Sequence, residues 1–400
     1  MAHIEDRWKH AGDHGRKRWR VRYLDLDGKE RSRSFDKKGD AERFKVQVEA
    51  DVLRGTYMDP DVGKVTLRKY AAEWLAMQPH DTVTGDSTEV RLRVHIYPAL
   101  GGKTLVELAA RPSMIQAWAS GLKLAPSSAR GVLSLLSSVM AAAVRDGLIS
   151  KNPCVGTKLA KPVKRLVVPW TPAQRAAQRA GLSDRYQAIV DAGCDLGLRQ
   201  SELFGLSVEN IDFLHRMVHV RQQVKLIRGR LYFAAPKAGK ERSVPLAAQL
   251  GLVLSAHIAA CAVEVTLPWH EPGDRRHGRD HTAKLLFTTE AGRALQRSSW
   301  NEHAWRPALR KAGLPSNERT NGCHIMRHTF ASTLVGRGVD PRTVAEYLGH
   351  SDGGALVLRT YSHLLPDAED RARKALEDAL EASETRSDGP VTAQRQVNRP

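Results

Sequence analysis

The sequence predicts a multidomain protein that is mainly α-helical with small β-sheets. Its 400 residues exceed the usual size of one domain, and its 42% of hydrophobic residues can supply several cores, which excludes wholesale disorder. Apolar residues follow a helical period along most of the chain, but they alternate with a period of two in two stretches, 16–35 and 217–246. We therefore expect two small groups of strands within a helical chain.

The charge of the chain points to an anionic partner. The chain has 62 Lys and Arg residues and 44 Asp and Glu residues, which give a formal net charge of +18. Nucleic acid is the commonest polyanion that such an excess meets, and a solvated basic surface without a partner is the alternative. The sequence has no run of 18 apolar residues that would indicate a membrane span, and no apolar N-terminal stretch that would indicate a secretory signal. Its four cysteines are scattered singly. We expect a cytoplasmic protein with reduced thiols.

Residues 1–62 are predicted to form a small basic module of strands and one helix. The stretch 16–22, RKRWRVR, has five basic residues, and Asp27-Gly28 marks a hairpin turn between two alternating runs. A helix is expected over 40–53. Its inward face should carry Phe44, Val48 and Leu53.

Residues 64–156 are predicted to form an all-helical domain. A helix over 66–76 places Leu67, Tyr70, Ala71, Trp74 and Leu75 in one stripe, which is typical of a buried helical face. A second helix spans about 127–146, with Gly147 as its stop and Pro153 preventing its resumption. Its inward residues should be Val132, Leu136, Val139 and Ala143. A basic, proline-containing linker, 157–168, follows.

Residues 169–382 are predicted to form an α+β domain. Thr171 and Pro172 are residue types favoured at a helix N-cap and at the first helical position. Residues 185–210 are expected to be helical, with a break near Gly197. Short antiparallel strands should occupy 217–246, and helices should return beyond 285. The last stretch, 383–400, lacks an apolar pattern, so we expect a disordered tail.

Four polar motifs stand out in this last domain. They are DLGLRQSELFGL (195–206), PKAGKERSVPL (236–246), HIMRHTFAS (324–332) and YLGHSDGGALVLRTYSH (347–363). Each is weak evidence alone, because an Arg on a helix usually pairs with a carboxylate and a Tyr near a helix end usually packs. In this order they resemble the tyrosine recombinase family, the phage-type integrases. Its pattern is Arg, then Lys in a β-turn, then His-x-x-Arg, then Gly-His and finally Tyr.

The resemblance extends over nearly the whole chain. The segment HIYPALGGKTLVELAA is similar to part of the family's core-binding domain, and the basic N-terminal module is similar to the arm-type DNA-binding domain of longer integrases. It implies an enzyme that binds attachment sites in double-stranded DNA as a homo-multimer, a tetramer on DNA. Accessory DNA-bending or directionality factors would assist it. It would cut one strand at a time through a 3′-phosphotyrosine, and integrate or excise a phage or other mobile element.

The resemblance also implies a role for each motif residue, and the chemistry agrees. Charge grows on the phosphate oxygens during phosphoryl transfer, and two guanidiniums can clamp those oxygens in a fork that lysine cannot form. Tyr361 would be the covalent nucleophile and Lys237 the general acid for the leaving 5′ oxygen. The catalytic set is Arg199, Lys237, His324, Arg327, His350 and Tyr361, with Glu202 as a supporting residue that orients an active-site partner.

Two features depart from the family pattern or leave a choice open. Eleven positions separate His350 from Tyr361, about two more than the family suggests, and Asp352 to Val357 (DGGALV) carries the extra residues. Lys240 rivals Lys237 as the general acid, although Lys237 has the family's position. We expect Lys240 and Arg242 to meet the DNA backbone or solvent. The remaining DNA-contacting residues are expected in the N-terminal module: Arg16, Lys17, Arg18, Arg20 and Arg22.

No cofactor is expected. The phosphotyrosine retains the energy of the broken bond, so neither ATP nor a metal is needed. No phosphate-binding or dinucleotide fingerprint occurs, and the spacing of His270, His277 and His281 fits a charged surface loop rather than a zinc site. Two other functions stay open. A type IB topoisomerase uses the same kinds of catalytic residues but rejoins the strand that it cut. A DNA-binding protein with a decayed active site would bind DNA without cleaving it.

Overall fold

The protein divides into two compact units, Met1–Lys164 and Arg165–Pro400. This division falls inside the predicted linker, and the predicted tail lies outside the residues described. The structure, a computed structural model, describes residues 2–8, 17–24, 28–53, 64–79, 81–162, 166–271, 278–316, 321–364 and parts of 373–380. Buried apolar side chains of these residues form two clusters in the first unit and one in the second.

The first unit begins with a three-stranded antiparallel sheet and a helix. The strands β1 (His3–Asp6), β2 (Trp19–Leu24) and β3 (Glu30–Phe35) lie in sequence order, and α1 (Lys38–Leu53) packs on them. The sequence did not predict β1. The expected inward position of Leu53 was wrong, because its side chain is 87% exposed. Five residues beyond Val48, it is rotated about 140° from that buried side chain.

The remaining described residues of the first unit are mainly helical. Its helices are α2 (Leu67–Met77), α3 (Thr82–Arg91), α4 (Tyr97–Leu100), α5 (Leu105–Ala110), α6 (Pro112–Ser120) and α7 (Pro126–Arg145). The two predicted helices are confirmed as α2 and α7. Thr66 caps α2, and the four predicted inward residues of α7 are buried. Helix α7 is long and apolar enough to cross a membrane by composition, but its most apolar face lies in this core.

Nine α-helices lie in the described part of the second unit. They are α8 (Pro172–Gly181), α9 (Asp184–Leu196), α10 (Gln200–Phe204), α11 (Ala248–Cys261), α12 (Arg297–Trp300), α13 (Arg306–Lys311), α14 (His324–Gly336), α15 (Pro341–Leu348) and α16 (Ala355–Tyr361). Thr171 and Gln174 form the capping box of α8, with Pro172 in its first turn, as predicted. Helix α9 is buried over most of its length from Ala188 onward, and it packs against α14. The end of α9 is thereby fixed beside the start of α14.

Two small sheets flank these helices. Their strands are β4 (Ile211–Asp212), β5 (Met217–Val220), β6 (Gln223–Ile227), β7 (Arg230–Ala234), β8 (Arg242–Pro245), β9 (Val263–His270) and β10 (Asp280–Leu285). One sheet has the order β4-β5-β8, and the other has the order β10-β9-β7-β6. The stretch 217–226 is therefore two strands in different sheets. The chain leaves the first sheet at Gln222, whose side chain donates to the Gly205 carbonyl.

The predicted charged loop around 270–281 is partly a hairpin. Strands β9 and β10 pair antiparallel, so the interpretation of this stretch as a loop was wrong for both of its described histidines. His270 is buried at the end of β9, and His281 lies in β10, where its ring packs edge-on against Phe233. His277 lies outside the described residues.

Candidate active site

The first element of the site is the turn that joins α9 to α10. Gly197 has a φ of +62°, and a side chain there would collide with the ring of Phe330 on α14. Only glycine fits both the left-handed backbone and this close approach. The turn brings Arg199 to the N-terminal end of α10, where its backbone N–H donates to the Glu202 carboxylate at 2.8 Å.

Glu202 is held between two arginines. Its carboxylate accepts from Arg199 Nη1 at 2.7 Å and from Arg242 Nη1 and Nη2 at 3.1 and 2.6 Å. Burial alone would raise the pKa of Glu202, but the hydrogen bonds and charge of Arg242 and the contacts from Arg199 lower it to about 2. The buried carboxylate is therefore ionised, and it fixes the position of Arg199.

The expectation that Arg242 meets DNA or solvent was wrong. Its side chain is 7% exposed, lies in β8 and donates both to Glu202 and, at 2.7 Å, to the Tyr347 carbonyl. A buried guanidinium needs an ion pair and acceptors for its donors, and both are present here. Arg242 therefore supports the site from within the protein.

Arg327 is the most deeply buried arginine of this group. It lies on α14 and donates from Nη1 to the Gly197 carbonyl at 2.8 Å and from Nη2 to the Leu348 carbonyl at 2.5 Å. Burial and the positive charge of Arg199 lower the pKa of Arg327, although a guanidinium keeps its proton at neutral pH. Arg199 Nη2 in turn donates to the Gly349 carbonyl at 3.3 Å. Both arginines thus hold the end of α15.

The two predicted histidines lie beside these arginines. His350 Nε2 is 3.1 Å from Arg327 Nη2, so it acts as acceptor and the proton of the neutral ring belongs on Nδ1. Nδ1 is buried without a hydrogen-bond partner among the described residues. His324 begins α14, one turn before Arg327. Desolvation by the surrounding protein, with nearby positive charge, lowers the pKa of each histidine to about 4, so both are neutral at neutral pH, although part of the His324 side chain is exposed.

The long spacing before Tyr361 is absorbed by a compact turn. Helix α15 ends at Leu348 and is capped by Gly349, which has a φ of +66°, and a four-residue turn, 351–354, precedes α16. Asp352 stabilises this turn because its carboxylate accepts from the Gly354 and Leu356 backbone N–H groups. The predicted segment, Asp352 to Val357, is therefore divided between this turn and the first turn of α16, and Tyr361 lies at the C-terminal end of that helix.

The Tyr361 hydroxyl is buried and meets a histidine that sequence reasoning missed. Tyr361 is 4% exposed, and burial raises its pKa to about 12. Its Oη lies 2.6 Å from Nδ1 of His328, on the next turn of α14 after His324. The four-residue spacing places both histidines on one helical face, a signal that was present in HIMRHTF.

The predicted general acid is not brought into this group. Lys237 and Lys240 lie in the turn between β7 and β8, where Ala238 adopts φ +62°. Both lysines are exposed, and within the described ranges neither makes a hydrogen bond or an ion pair. The side chain of Lys237 is long and unconstrained there, so its assignment stays a prediction.

The basic N-terminal residues make contacts within their own sheet. Arg18 pairs with Asp6 at 2.9 Å, and Arg22 pairs with Glu5 and Glu30 at 3.2 and 3.1 Å. The charge of these two arginines is therefore partly balanced inside the module, which the sequence did not indicate. Lys17 pairs with a neighbouring carboxylate, Arg20 lies on β2, and Arg16 lies outside the described residues.

A cleft opens beside Arg199 and His324. It has a volume of about 610 Å³, and the exposed Arg297 and Arg306 add positive charge to its lining. Sequence reasoning did not single out these two arginines. In the parts of the chain that the structure describes, no group of three or more His, Cys, Asp or Glu side chains could hold a metal ion. The site offers cationic and neutral donors to an anion.

Comparison with known proteins agrees with this geometry. Residues 174–367 match the model of the phage integrase family. This chain belongs to the phage integrase family of tyrosine recombinases. The matched segment of this integrase-family chain contains all six residues of the predicted catalytic set.

Individual relatives of this phage integrase-family chain cover more of it. A tyrosine recombinase XerC-like protein of Caldanaerobacter subterraneus subsp. tengcongensis is 28% identical over 260 residues, which are 59% of this chain and 62% of that protein. The integrase of Mycobacterium phage FRAT1 is 25% identical over 72% of this chain and 81% of its own length. The structure of the Tn1549 transposon integrase with transposon right end DNA is 21% identical, covers 78% of this chain and 99% of that one, and has a TM-score of 0.64. The α-rich multidomain fold is therefore that of a tyrosine recombinase.

Proposed function

We propose that this recombinase cleaves and rejoins DNA at specific sites through a covalent 3′-phosphotyrosine, and so integrates or excises a phage or other mobile element. The observation that carries the proposal is the convergence of two buried or half-buried arginines, two neutral histidines and a buried tyrosine at the junction of α9, α14, α15 and α16. The relatives named above, a phage integrase and a transposon integrase, support a mobile-element role.

The residues of the site can perform each part of this reaction. Arg199 and Arg327 would hold the non-bridging oxygens of the scissile phosphate, because the protein contacts engage only some of their five N–H bonds each. The Tyr361 oxygen attacks phosphorus, and the 5′ oxygen leaves with a proton from Lys237. The phosphotyrosine conserves the bond energy for rejoining, so the reaction needs neither ATP nor a metal.

The nucleophile is tested by Tyr361→Phe, which removes only the hydroxyl. The substrate is a nicked suicide duplex that carries the core site, identified from the DNA that flanks the gene. The variant should bind this duplex like wild type and form no covalent adduct. Tyr347→Phe is the matched control, because this half-buried tyrosine contributes its backbone carbonyl to the site and should leave adduct formation unchanged. An adduct with Tyr361→Phe would refute the proposal.

The domain roles are also part of the proposal. The N-terminal module, 1–62, would bind a distal arm-type DNA element, and the helical domain and catalytic unit would bind the crossover core. A chain that lacks residues 1–62 should retain the core footprint and lose the distal footprint. Both footprints should weaken steeply with salt, because bound cations are released from the phosphates. Unchanged distal protection would remove the arm-binding role.

The DNA products distinguish a recombinase that acts as a multimer from the alternative, a type IB topoisomerase. A recombinase that assembles as a tetramer on DNA yields joints between two different sites, whereas a topoisomerase only relaxes supercoils. A two-site plasmid assay read by sequencing should give exchanged junctions. Relaxation without exchange, in the presence of the accessory DNA-bending or directionality factors of the host, would favour the topoisomerase. Footprints without any adduct would favour a non-catalytic DNA-binding protein.

A further inference from the structure

The contact between His328 and Tyr361 joins two helices of the site and has no counterpart in the motif described above. Nδ1 of His328 on α14 lies 2.6 Å from Oη of Tyr361 at the end of α16. The His328 ring is held edge-on against His324, with ring centroids 4.9 Å apart. The imidazole is therefore fixed in direction, and its Nδ1 is aimed at the oxygen that must attack phosphorus.

The protonation of both partners fits donation by the phenol. Burial keeps the Tyr361 hydroxyl protonated at neutral pH, because it raises the pKa of the phenol. Burial and the charge of Arg327 lower the pKa of His328, so its ring is neutral and has one unprotonated nitrogen. Among the described residues, the titratable groups that face this ring are His324 and Arg327 on its own helix and Tyr361 on α16. With the ring proton on Nε2, Nδ1 accepts the phenolic hydrogen bond.

The other histidines of the site are occupied differently. Nε2 of His350 accepts from Arg327, and the rings of His324 and His328 meet in a T-shaped contact. Within the described ranges, His328 is the histidine that forms a hydrogen bond to Tyr361. The phenolic proton must leave as the oxygen attacks, and an acceptor within direct hydrogen-bond distance is the simplest recipient.

We propose that His328 is a further catalytic residue, which aligns the Tyr361 hydroxyl and accepts its proton during attack on the scissile phosphate. This inference rests on the proposed function. The bond between Oη and phosphorus forms as the bond between phosphorus and the 5′ oxygen breaks. The proton of Oη moves to Nδ1 of His328, and the 5′ oxygen takes its proton from the general acid assigned to Lys237. Rejoining reverses each transfer.

Two substitutions separate proton transfer from alignment. His328→Ala removes the acceptor and leaves space for a small base, and His328→Asn keeps a polar group near the position of Nδ1 but cannot take up the proton at neutral pH. Both should bind the nicked core duplex like wild type and form adduct about 10²-fold more slowly or worse. Added imidazole should restore His328→Ala by tenfold or more and leave His328→Asn unchanged. His363→Ala, at an exposed histidine two residues after Tyr361, should match wild type with and without imidazole.

A substrate with sulfur at the 5′ bridging position separates this role from leaving-group chemistry. Sulfur leaves without an acid, so it should not rescue His328→Ala, whose defect lies in the nucleophile. Wild-type rates for His328→Ala would overturn the proposal, as would absent imidazole rescue or full rescue by sulfur. Faster cleavage by His328→Ala would instead make the contact a restraint on Tyr361. Wild type and Tyr361→Phe are assayed in parallel, because an absent adduct with wild type refutes the proposed function itself.

Discussion

Replacing Glu202 by glutamine tests whether one buried carboxylate organises the catalytic arginines. The substitution keeps the shape of the side chain and removes the charge between Arg199 and Arg242. The wild-type pKa falls from an ordinary 4.5 to about 2, which at 1.36 kcal/mol per pH unit corresponds to about 3 kcal/mol. Breaking a buried ion pair costs about 3–5 kcal/mol, so both routes give a similar loss in the free energy of unfolding.

The loss has a defined pH dependence. The pKa of Glu202 is depressed in the folded protein, so its stabilisation is present above the ordinary value of 4.5 and is lost as the pH falls towards 2. The difference in unfolding free energy between wild type and Glu202→Gln should therefore be constant at neutral pH. It should shrink progressively below pH 4.5.

The measurement is urea unfolding of the full chain at several pH values, monitored by hydrogen exchange of peptides from α9 and β8. These peptides report on the second unit, which matters because a two-unit chain need not unfold in one step. Glu209→Gln is the control, because Glu209 is an exposed carboxylate of the same unit. Adduct formation should fall together with stability, since Arg199 loses its fixed partner. Equal stability of Glu202→Gln and wild type at neutral pH would refute the reasoning.

Three further outcomes are expected. Arg327→Lys keeps the charge but loses the fork, so adduct formation should fall by about 10²-fold or more with little change in gel-shift affinity; an equal loss of binding would make Arg327 an ordinary phosphate anchor. Lys237→Ala should cleave ordinary DNA slowly and the 5′-sulfur substrate at nearly the wild-type rate, whereas rescue of Lys240→Ala instead would move the general acid to that residue. Gly197→Ala should lower the melting temperature, because its Cβ meets the ring of Phe330 on a left-handed backbone, and an unchanged melting temperature would contradict that account.

Local patterns predicted the helices with one buried stripe. The apolar period in 66–76 and 127–146 and the capping signal at Thr171 depend only on neighbours a few residues away, and the structure confirms all three. The same logic failed for Leu53, where the helical face had already turned away from the core. Strands β1, β9 and β10 were missed, because strand formation depends on pairing partners distant in the sequence.

The candidate site also has features that the sequence could predict and features that it could not. The spacing of His324 and Arg327 on one helix could be predicted, because a helix fixes the relation between residues three apart. The burial of Arg242 against Glu202, 40 residues away, could not be predicted from the DNA-facing appearance of PKAGKERSVPL. Likewise, the four-residue turn after Gly349 can be described only once its Asp352 contacts are known.

By itself, the sequence determined the identity and order of the charged and nucleophilic groups, and hence the chemistry that the chain can carry. Only the tertiary structure decided which of those groups meet. It put Arg242 inside the protein, left Lys237 in an exposed turn and joined His328 to Tyr361. The physical reason is that burial and hydrogen bonding between distant segments set the charge state and direction of each side chain, and neither is encoded by local spacing.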